Sequence, residues 1–151
     1  MSFYSTTTAF AAPAANDTAL HLKCSATVRA GLCEATIGSN AAPVEQSGDY
    51  RIVRTTTAGT TPVATPAIEK HSEFSPASGI GATAEGNGYT TEPTVGDTML
   101  HLPLHQKATH RFVAYPGREI WSIVAANNGI GLVVIAQSAA FAINASLVWM
   151  E

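Results

Sequence analysis

Near its end, the chain alternates large apolar side chains with small or polar ones over the length of a strand. One face of the predicted strand 141–150 is entirely apolar and consists of Phe141, Ile143, Ala145, Leu147 and Trp149. The other face includes Asn144 and Ser146. Because successive side chains of a strand point to opposite faces, this period of two predicts a sheet that has one buried face.

Two further strands are predicted just before this one, at 110–115 and 130–137. Turn signals precede and separate them, namely Pro116-Gly117 and Asn127-Asn128-Gly129. Proline presets φ for the first central turn position, and glycine accepts a positive φ at the second. The strand 130–137 is apolar on both faces, which predicts a central strand that is covered on both sides.

The first half of the chain adds predicted strands at 18–30, 32–37 and 50–57, and residues 99–104 lead back into the C-terminal sheet, with Pro103 at an edge position. The first of these alternates cleanly, and a tight turn at Ala30-Gly31 would join it to the second. No stretch shows sustained helical periodicity with caps. We therefore predict an all-β fold, a single antiparallel β-sandwich or jelly-roll-like domain that spans residues 18–151.

Two segments lie outside this strand pattern. Residues 1–17 are small and polar with isolated aromatic residues, and we interpret them as an extended N-terminal arm that docks on another surface, or as a frayed terminus. Residues 58–98 are rich in proline, glycine and threonine. This long loop contains short edge strands, for example around 89–91, or it is an excursion ordered by a neighbouring subunit, which we favour.

Composition limits the classes of partner. The formal net charge is −3 and only 13% of residues are charged, whereas nucleic-acid binders carry a basic face. We expect no nucleic-acid partner and no membrane attachment, and the N-terminus lacks the charged and apolar regions of a secretory signal. Cys24 and Cys33 lack metal-site spacing, and we expect buried free thiols in preference to a disulfide.

The sequence contains little that predicts catalysis. His101 and His105 share one face of a predicted strand and His110 follows, so a metal site is conceivable, but a solvated edge is the simpler interpretation. Nucleophile-elbow, Walker and zinc-helix motifs are absent from the sequence. We predict a non-enzymatic protein without a cofactor, catalytic residue or metal ligand.

Aromatic residues of the arm and several arginines are the candidate interface residues. Arginine suits protein interfaces because its planar guanidinium makes bidentate contacts and is weakly hydrated. The predicted interface set consists of Phe3, Tyr4, Phe10, Arg51, Arg54 and Arg118.

Three segments resemble a known group of proteins: 54–60 (RTTTAGT), 107–120 (KATHRFVAYPGREI) and 125–132 (AANNGIGL). They are similar to small capsid-associated proteins of tailed bacteriophages, the head decoration or cement proteins. The similarity covers roughly residues 18–57 and 100–150. The resemblance implies a β-sandwich or jelly-roll body that binds the outside of an icosahedral head and bridges neighbouring capsid subunits, and it implies no catalytic residues.

We therefore expect a structural virion protein whose partner is the major capsid protein. It would be made in the host cytoplasm, would lie on the outer capsid surface and would form a homo-oligomer, a dimer or a trimer. The first alternative is a receptor- or carbohydrate-binding module of a tail or fibre, with Tyr89, Tyr115 and Trp121 as candidate contacts, although we favour a core role for Trp121. The second is a small metal-dependent jelly-roll enzyme that uses the histidines.

Overall fold

The computed structural model describes residues 1–42, 44–81, 84–123 and 125–151. These residues form ten β-strands and no helix, which confirms the all-β prediction. Among the described residues, no helix is long and apolar enough to cross a membrane. The strands are β1 (Phe3–Phe10), β2 (Thr18–Lys23), β3 (Gly31–Ser39), β4 (Ser47–Thr57), β5 (Glu69–Lys70), β6 (Thr94–His105), β7 (Thr109–Val113), β8 (Ile120–Trp121), β9 (Gly129–Gln137) and β10 (Ile143–Met150).

The strands form two antiparallel sheets that enclose one core. Sheet A has the order β5-β1-β10-β3-β7, and β8 also pairs with β3. Sheet B has the order β2-β9-β4-β6. The sheets place their apolar faces against each other, as expected of a β-sandwich.

The alternation of β10 places its side chains as the sequence predicts. Phe141, Ile143, Ala145, Leu147 and Trp149 are all buried, whereas Asn144 is exposed. The predicted centrality of β9 is also confirmed, because this strand lies between β2 and β4 and its first six residues are buried. A strand covered on both sides has no polar face, which explains its almost continuous apolar sequence.

The N-terminal segment is extended as predicted, and the surface on which it docks is the chain's own sheet. β1 pairs with β10 over eight positions, from Phe3↔Met150 to Phe10↔Ile143. Beyond the strand ends, Ser2 and Glu151 exchange two backbone hydrogen bonds. Residues 1–17 and 18–151 therefore share one sandwich, and residues 3–10 form a strand of its core.

Strand pairing departs from the sequence-based interpretation at Ala30-Gly31. The segment 18–30 forms a strand only to Lys23, and β2 and β3 lie in different sheets, so no hairpin forms at Ala30-Gly31. β9 lies in sheet B, whereas β7 and β10 lie on either side of β3 in sheet A. Apart from β7 and β8, which both lie in sheet A, successive strands alternate between the two layers.

The described part of the 58–98 excursion packs on its own domain. β5 extends sheet A by pairing with β1, and isolated bridges join Thr60 to Thr91 and His21 to Glu85. These short pairings match the edge-strand interpretation of the region, and β6 already begins at Thr94. Residues 82 and 83 of the excursion lie outside the described residues.

Candidate functional site

Sheet A has an outer face that turns away from the core, and the strand register shows which residues share it. Tyr4 and Trp149 point inward, so their neighbours Phe3 and Met150 point outward. The pairings Phe3↔Met150, Met150↔Gly31 and Gly31↔Trp121 place these four residues in one row across the sheet. One end of the outer face is therefore apolar.

The indole of Trp121 lies over Gly31 in this row. A Cβ atom at position 31 would come within 2.8 Å of Cζ2 of the indole, so glycine is needed for this approach. The guanidinium carbon of Arg29 lies 4.8 Å from the Trp121 ring centroid, which is a cation–π distance. Trp121, a candidate contact for a receptor or carbohydrate, is thus half-buried on the outer face.

The next row extends the apolar surface toward the β7 edge. It joins Ser5, Val148, Glu34 and Val113 through the registers of four strands. Val113 is 55% exposed, and Tyr115 just beyond it is 82% exposed. We define the apolar band as the outward-facing residues Phe3, Met150, Trp121, Val148, Val113 and Tyr115, of which Met150 is itself covered and only 4% exposed.

One ion pair interrupts the outer face. Arg111 donates two hydrogen bonds to Glu34, Nε to Oε1 at 2.7 Å and Nη2 to Oε2 at 2.8 Å. These bonds lower the pKa of the Glu34 carboxyl below its ordinary value. Because the two charges neutralise each other, the pair leaves little net charge on this surface.

Beyond this pair, the outer face carries small hydroxyl and amide side chains. One row joins Thr7, Ser146 and Thr36 and ends at Arg111 of the ion pair, and the next joins Ala9, Asn144, Gly38 and Thr109. They line a shallow groove of about 520 Å³ whose lining residues carry no charge. The outer face of sheet A thus combines an apolar band with uncharged hydrogen-bonding rows.

The structure distributes the predicted interface residues over different surfaces. Phe3 is 42% exposed and belongs to the apolar band, and Arg118 is exposed on the turn that follows Tyr115. Tyr4 has to be withdrawn from the interface set because it is 1% exposed and stacks on Trp149. Phe10 is half-buried and packs against the core.

The other two predicted arginines lie in sheet B. Arg51 donates to Asp49 at 3.1 Å, and its Nε is buried without a hydrogen-bond partner. Arg54 donates from Nε to the backbone oxygen of Trp121 at 2.8 Å. Arg54 therefore ties sheet B to the end of the apolar band and is engaged within the chain.

The three histidines considered for a metal site do not converge. His101 and His105 lie on β6 of sheet B, whereas His110 lies on β7 of sheet A. His105 Nε2 lies 3.1 Å from Glu45, and His101 Nδ1 lies 3.7 Å from Asp49. Within the described ranges, no group of three or more potential ligands is close enough to hold a metal ion.

Both cysteines are free thiols, as expected. Cys24 is buried and Cys33 is half-buried. The Cys24 thiol donates to Ser122 Oγ at 2.9 Å, and burial raises the pKa of this thiol.

A buried polar network was not anticipated from the sequence. His21 on β2 is completely buried, with Nδ1 3.1 Å from Glu85 Oε2 and Nε2 2.8 Å from Thr55 Oγ1. Lys23 donates to the other Glu85 oxygen at 3.3 Å, and the Tyr89 hydroxyl donates to Oε2 at 3.4 Å. His21, Thr55 and Glu85 are too far apart in sequence to be connected by any local pattern.

The imidazole of His21 crosses β9 where that strand has no side chain. A Cβ atom at Gly129 would lie 2.6 Å from His21 Nε2 and 2.2 Å from the Leu22 oxygen. The turn glycine of Asn127-Asn128-Gly129 therefore also makes room for the histidine.

The order carboxylate, imidazole, hydroxyl is that of hydrolase triads. Here, however, Thr55 and His21 are buried and Thr55 has no access to a substrate. The network is suited to holding segments together and not to acyl transfer.

No family model, curated protein or solved structure matches the chain significantly.

Proposed function

We propose that this chain is a structural protein of a tailed-phage virion, a decoration or cement protein that binds the outer surface of the head. The observation that carries the proposal is the outer face of sheet A, where an apolar band adjoins uncharged hydroxyl rows. The resemblance of segments 54–60, 107–120 and 125–132 to head decoration proteins supplies the class of partner.

The composition of this face suits a protein partner. Specific interfaces have an apolar core depleted in charge and surrounded by polar groups. The apolar band supplies exposed Phe3, Val113 and Tyr115, and the adjacent rows supply Thr7, Thr36 and Ser146. Grouped exposed apolar residues on a folded domain are typical of a binding surface.

The outer face of sheet B is a poorer candidate because the chain itself contacts part of it. Glu85 lies against His21, and the backbone N–H of Thr18 donates to Glu92 at 2.9 Å. Val53 and Val133, which belong to this part of sheet B, are completely or almost completely buried. Sheet A therefore offers the open face for docking.

Binding of this kind stabilises a shell by mass action. A protein that binds the assembled lattice better than separated subunits shifts the equilibrium toward the assembled lattice. Repetition of a moderate contact by symmetry adds avidity, particularly if the protein is itself a dimer or trimer. The proposed partner is the major capsid protein, and the proposed location is the outer capsid surface after synthesis in the host cytoplasm.

The decisive test is the copy number of this chain in purified particles, measured by quantitative mass spectrometry. A copy number comparable to that of the major shell protein supports a decoration role. A few copies per particle would instead favour a receptor- or carbohydrate-binding module of the tail or fibre. Absence from particles would overturn the virion proposal, and metal binding by the purified protein would then be assayed for the enzyme alternative.

A second experiment tests the docking face itself. Particles depleted of this chain are mixed with purified wild-type protein or with Val113→Glu, which places a charge in the apolar band. The matched control is Val63→Glu, because Val63 is also highly exposed but lies on the 58–98 excursion. We expect Val113→Glu to reduce binding at least tenfold and Val63→Glu to bind as wild type; equal binding by both variants would exclude this face.

A further inference from the structure

A short segment of the excursion lies along the edge of sheet B. We define the strap as residues 84–93. Its Glu85 exchanges two backbone hydrogen bonds with His21 of the edge strand β2, at 2.7 and 3.0 Å. Further along, the backbone of Thr60 bonds to Thr90 and Thr91 at 3.0 and 2.9 Å. The strap thus occupies backbone groups that an edge strand would otherwise present to another chain.

The side chains of His21 and Glu85 join the same two positions a second time. Nδ1 of His21 faces the Glu85 carboxylate, and Nε2 faces Thr55 Oγ1. Both partner oxygens are able to accept a hydrogen bond, so the site accommodates an imidazole that donates from both nitrogens. A hydrogen bond that the ionised Glu85 carboxylate accepts from this ring is charge-assisted and therefore stronger than one between neutral groups.

Other charged and titratable groups face this contact from the neighbouring elements. Lys23 on β2 donates to Glu85, and Tyr89 on the strap donates to the same carboxylate. Glu92 lies at the far end of the strap, where Asp17 and His21 act on its charge. Glu85 is the only carboxylate among these groups with a direct contact to His21.

We propose that the His21–Glu85 contact is an acid-opened latch, and that protonation of Glu85 releases this end of the strap and leaves the β2 edge of sheet B unpaired at His21, while Asn87 and Glu92 keep their own contacts to Ala9 and Thr18. Uptake of a proton removes the negative charge that faces the imidazole and Lys23. The charge-assisted hydrogen bonds that Lys23 and the buried imidazole make to this carboxylate are then lost, which weakens the contact between Glu85 and β2. An unpaired β2 edge is able to accept an added strand from another chain.

The direction in which pH changes the stability of the latch follows from the pKa shifts of the Glu85 and Glu92 carboxylates. Burial raises the pKa of Glu85, but the hydrogen bonds and charges of His21 and Lys23 outweigh burial and leave the pKa below its ordinary value of 4.5. The latch is therefore closed above pH 4.5 and is lost as pH falls through the lowered pKa. Burial raises the pKa of Glu92, so its protonation in acid favours the docked strap and opposes opening.

Hydrogen exchange of the whole protein at pH 7 and at a series of lower pH values tests the latch, with rates corrected for intrinsic exchange and the Glu85 pKa located by NMR titration. The reporters are the amides of His21 and Glu85, each of which donates to the backbone oxygen of the other between β2 and the strap. We expect their protection to fall roughly tenfold or more below the Glu85 pKa while β9 and β10 amides stay protected, since a charge-assisted contact is lost.

Two variants separate the effect of Glu85 protonation from the effects of acid on the rest of the protein. Glu85→Gln keeps the shape of the side chain and removes its charge, so its strap should be open already at pH 7. Glu92→Gln mimics the protonated form of the other strap carboxylate and should keep the strap closed at pH 7. Unchanged wild-type protection below the Glu85 pKa, wild-type protection in Glu85→Gln, or simultaneous loss of β9 protection would each overturn the proposal.

Discussion

The ring of Tyr4, at the start of the chain, stacks on the indole of Trp149, near its end, with centroids 5.9 Å apart and planes inclined by 28°. The pair lies in the core between the sheets, and each residue is 1% exposed or less. The Tyr4 hydroxyl also donates to the backbone oxygen of Pro76 at 3.2 Å. The first and last strands therefore close the sandwich together.

Tyr4→Ala should lower the free energy of unfolding by about 3–5 kcal/mol, because it removes a buried aromatic ring and leaves a cavity. Urea denaturation measures the effect. Phe3→Ala is the matched control, since Phe3 is the neighbouring aromatic residue but is 42% exposed and should cost less than about 1 kcal/mol. An equal loss of stability in both variants would contradict the assignment of the two faces of β1.

Deleting residues 1–10 should impair folding and not only attachment, because the deletion removes β1 and its buried Tyr4 from the sandwich.

Trp149→Ala should also cost about 3–5 kcal/mol, because the indole is completely buried and packs on Tyr4. The double variant with Tyr4→Ala measures the coupling of the two rings. We expect a coupling energy of about 0.5–1.5 kcal/mol, as for other stacked aromatic pairs. Strict additivity of the two single variants would show that the rings do not stabilise each other.

Gly129→Ala should lower the free energy of unfolding by about 1–3 kcal/mol, because the new methyl group overlaps the Leu22 oxygen and the His21 imidazole. Thermal or urea unfolding provides the measurement. Gly131→Ala is the control on the same strand, since the nearest atoms to its Cβ lie at ordinary contact distances of 3.5 Å and more. Gly131→Ala should leave stability within about 0.5 kcal/mol of wild type. Similar losses of stability for both variants would mean that the close contacts of position 129 with Leu22 and His21 do not determine its tolerance of a methyl group.

Arg111→Gln should raise the pKa of Glu34 toward its ordinary value of 4.5, because the two hydrogen bonds from the guanidinium are lost. NMR titration of the Glu34 side chain reports this shift directly. The lowered pKa contributes stability above pH 4.5 that is lost as pH falls through it, so the variant should be less sensitive to acid than wild type.

Lys107→Gln is the control for Arg111→Gln, since Lys107 pairs with Glu45 and not with Glu34. High salt should reproduce part of the Arg111→Gln effect, because both partners of the pair are solvent-accessible. A Glu34 pKa that does not respond to Arg111→Gln would refute the bidentate contact.

Local alternation was enough to predict the class of the fold and the buried faces of its clearest strands. The faces of β10 and the two-sided burial of β9 follow from side-chain order within one strand, which the pleat dictates irrespective of the neighbours. The extended arm near the N-terminus was expected from its small polar composition and isolated aromatic residues, because alternation was not recognised there. This composition did not reveal that Tyr4 belongs to the core, because small polar neighbours such as Ser5 and Thr7 resemble a solvated arm.

The tertiary structure decided which strands are neighbours and which side chains meet. The assignment of β2 and β3 to different sheets depends on contacts between distant segments, and a turn signal such as Ala30-Gly31 does not specify them. The apolar band is assembled from β1, β10, β8 and β7, and His21 meets Glu85 64 residues further along the chain. The order of side chains along a strand predicts its buried and exposed faces but not its partner strands, because strand pairing is set by the packing of the whole sandwich.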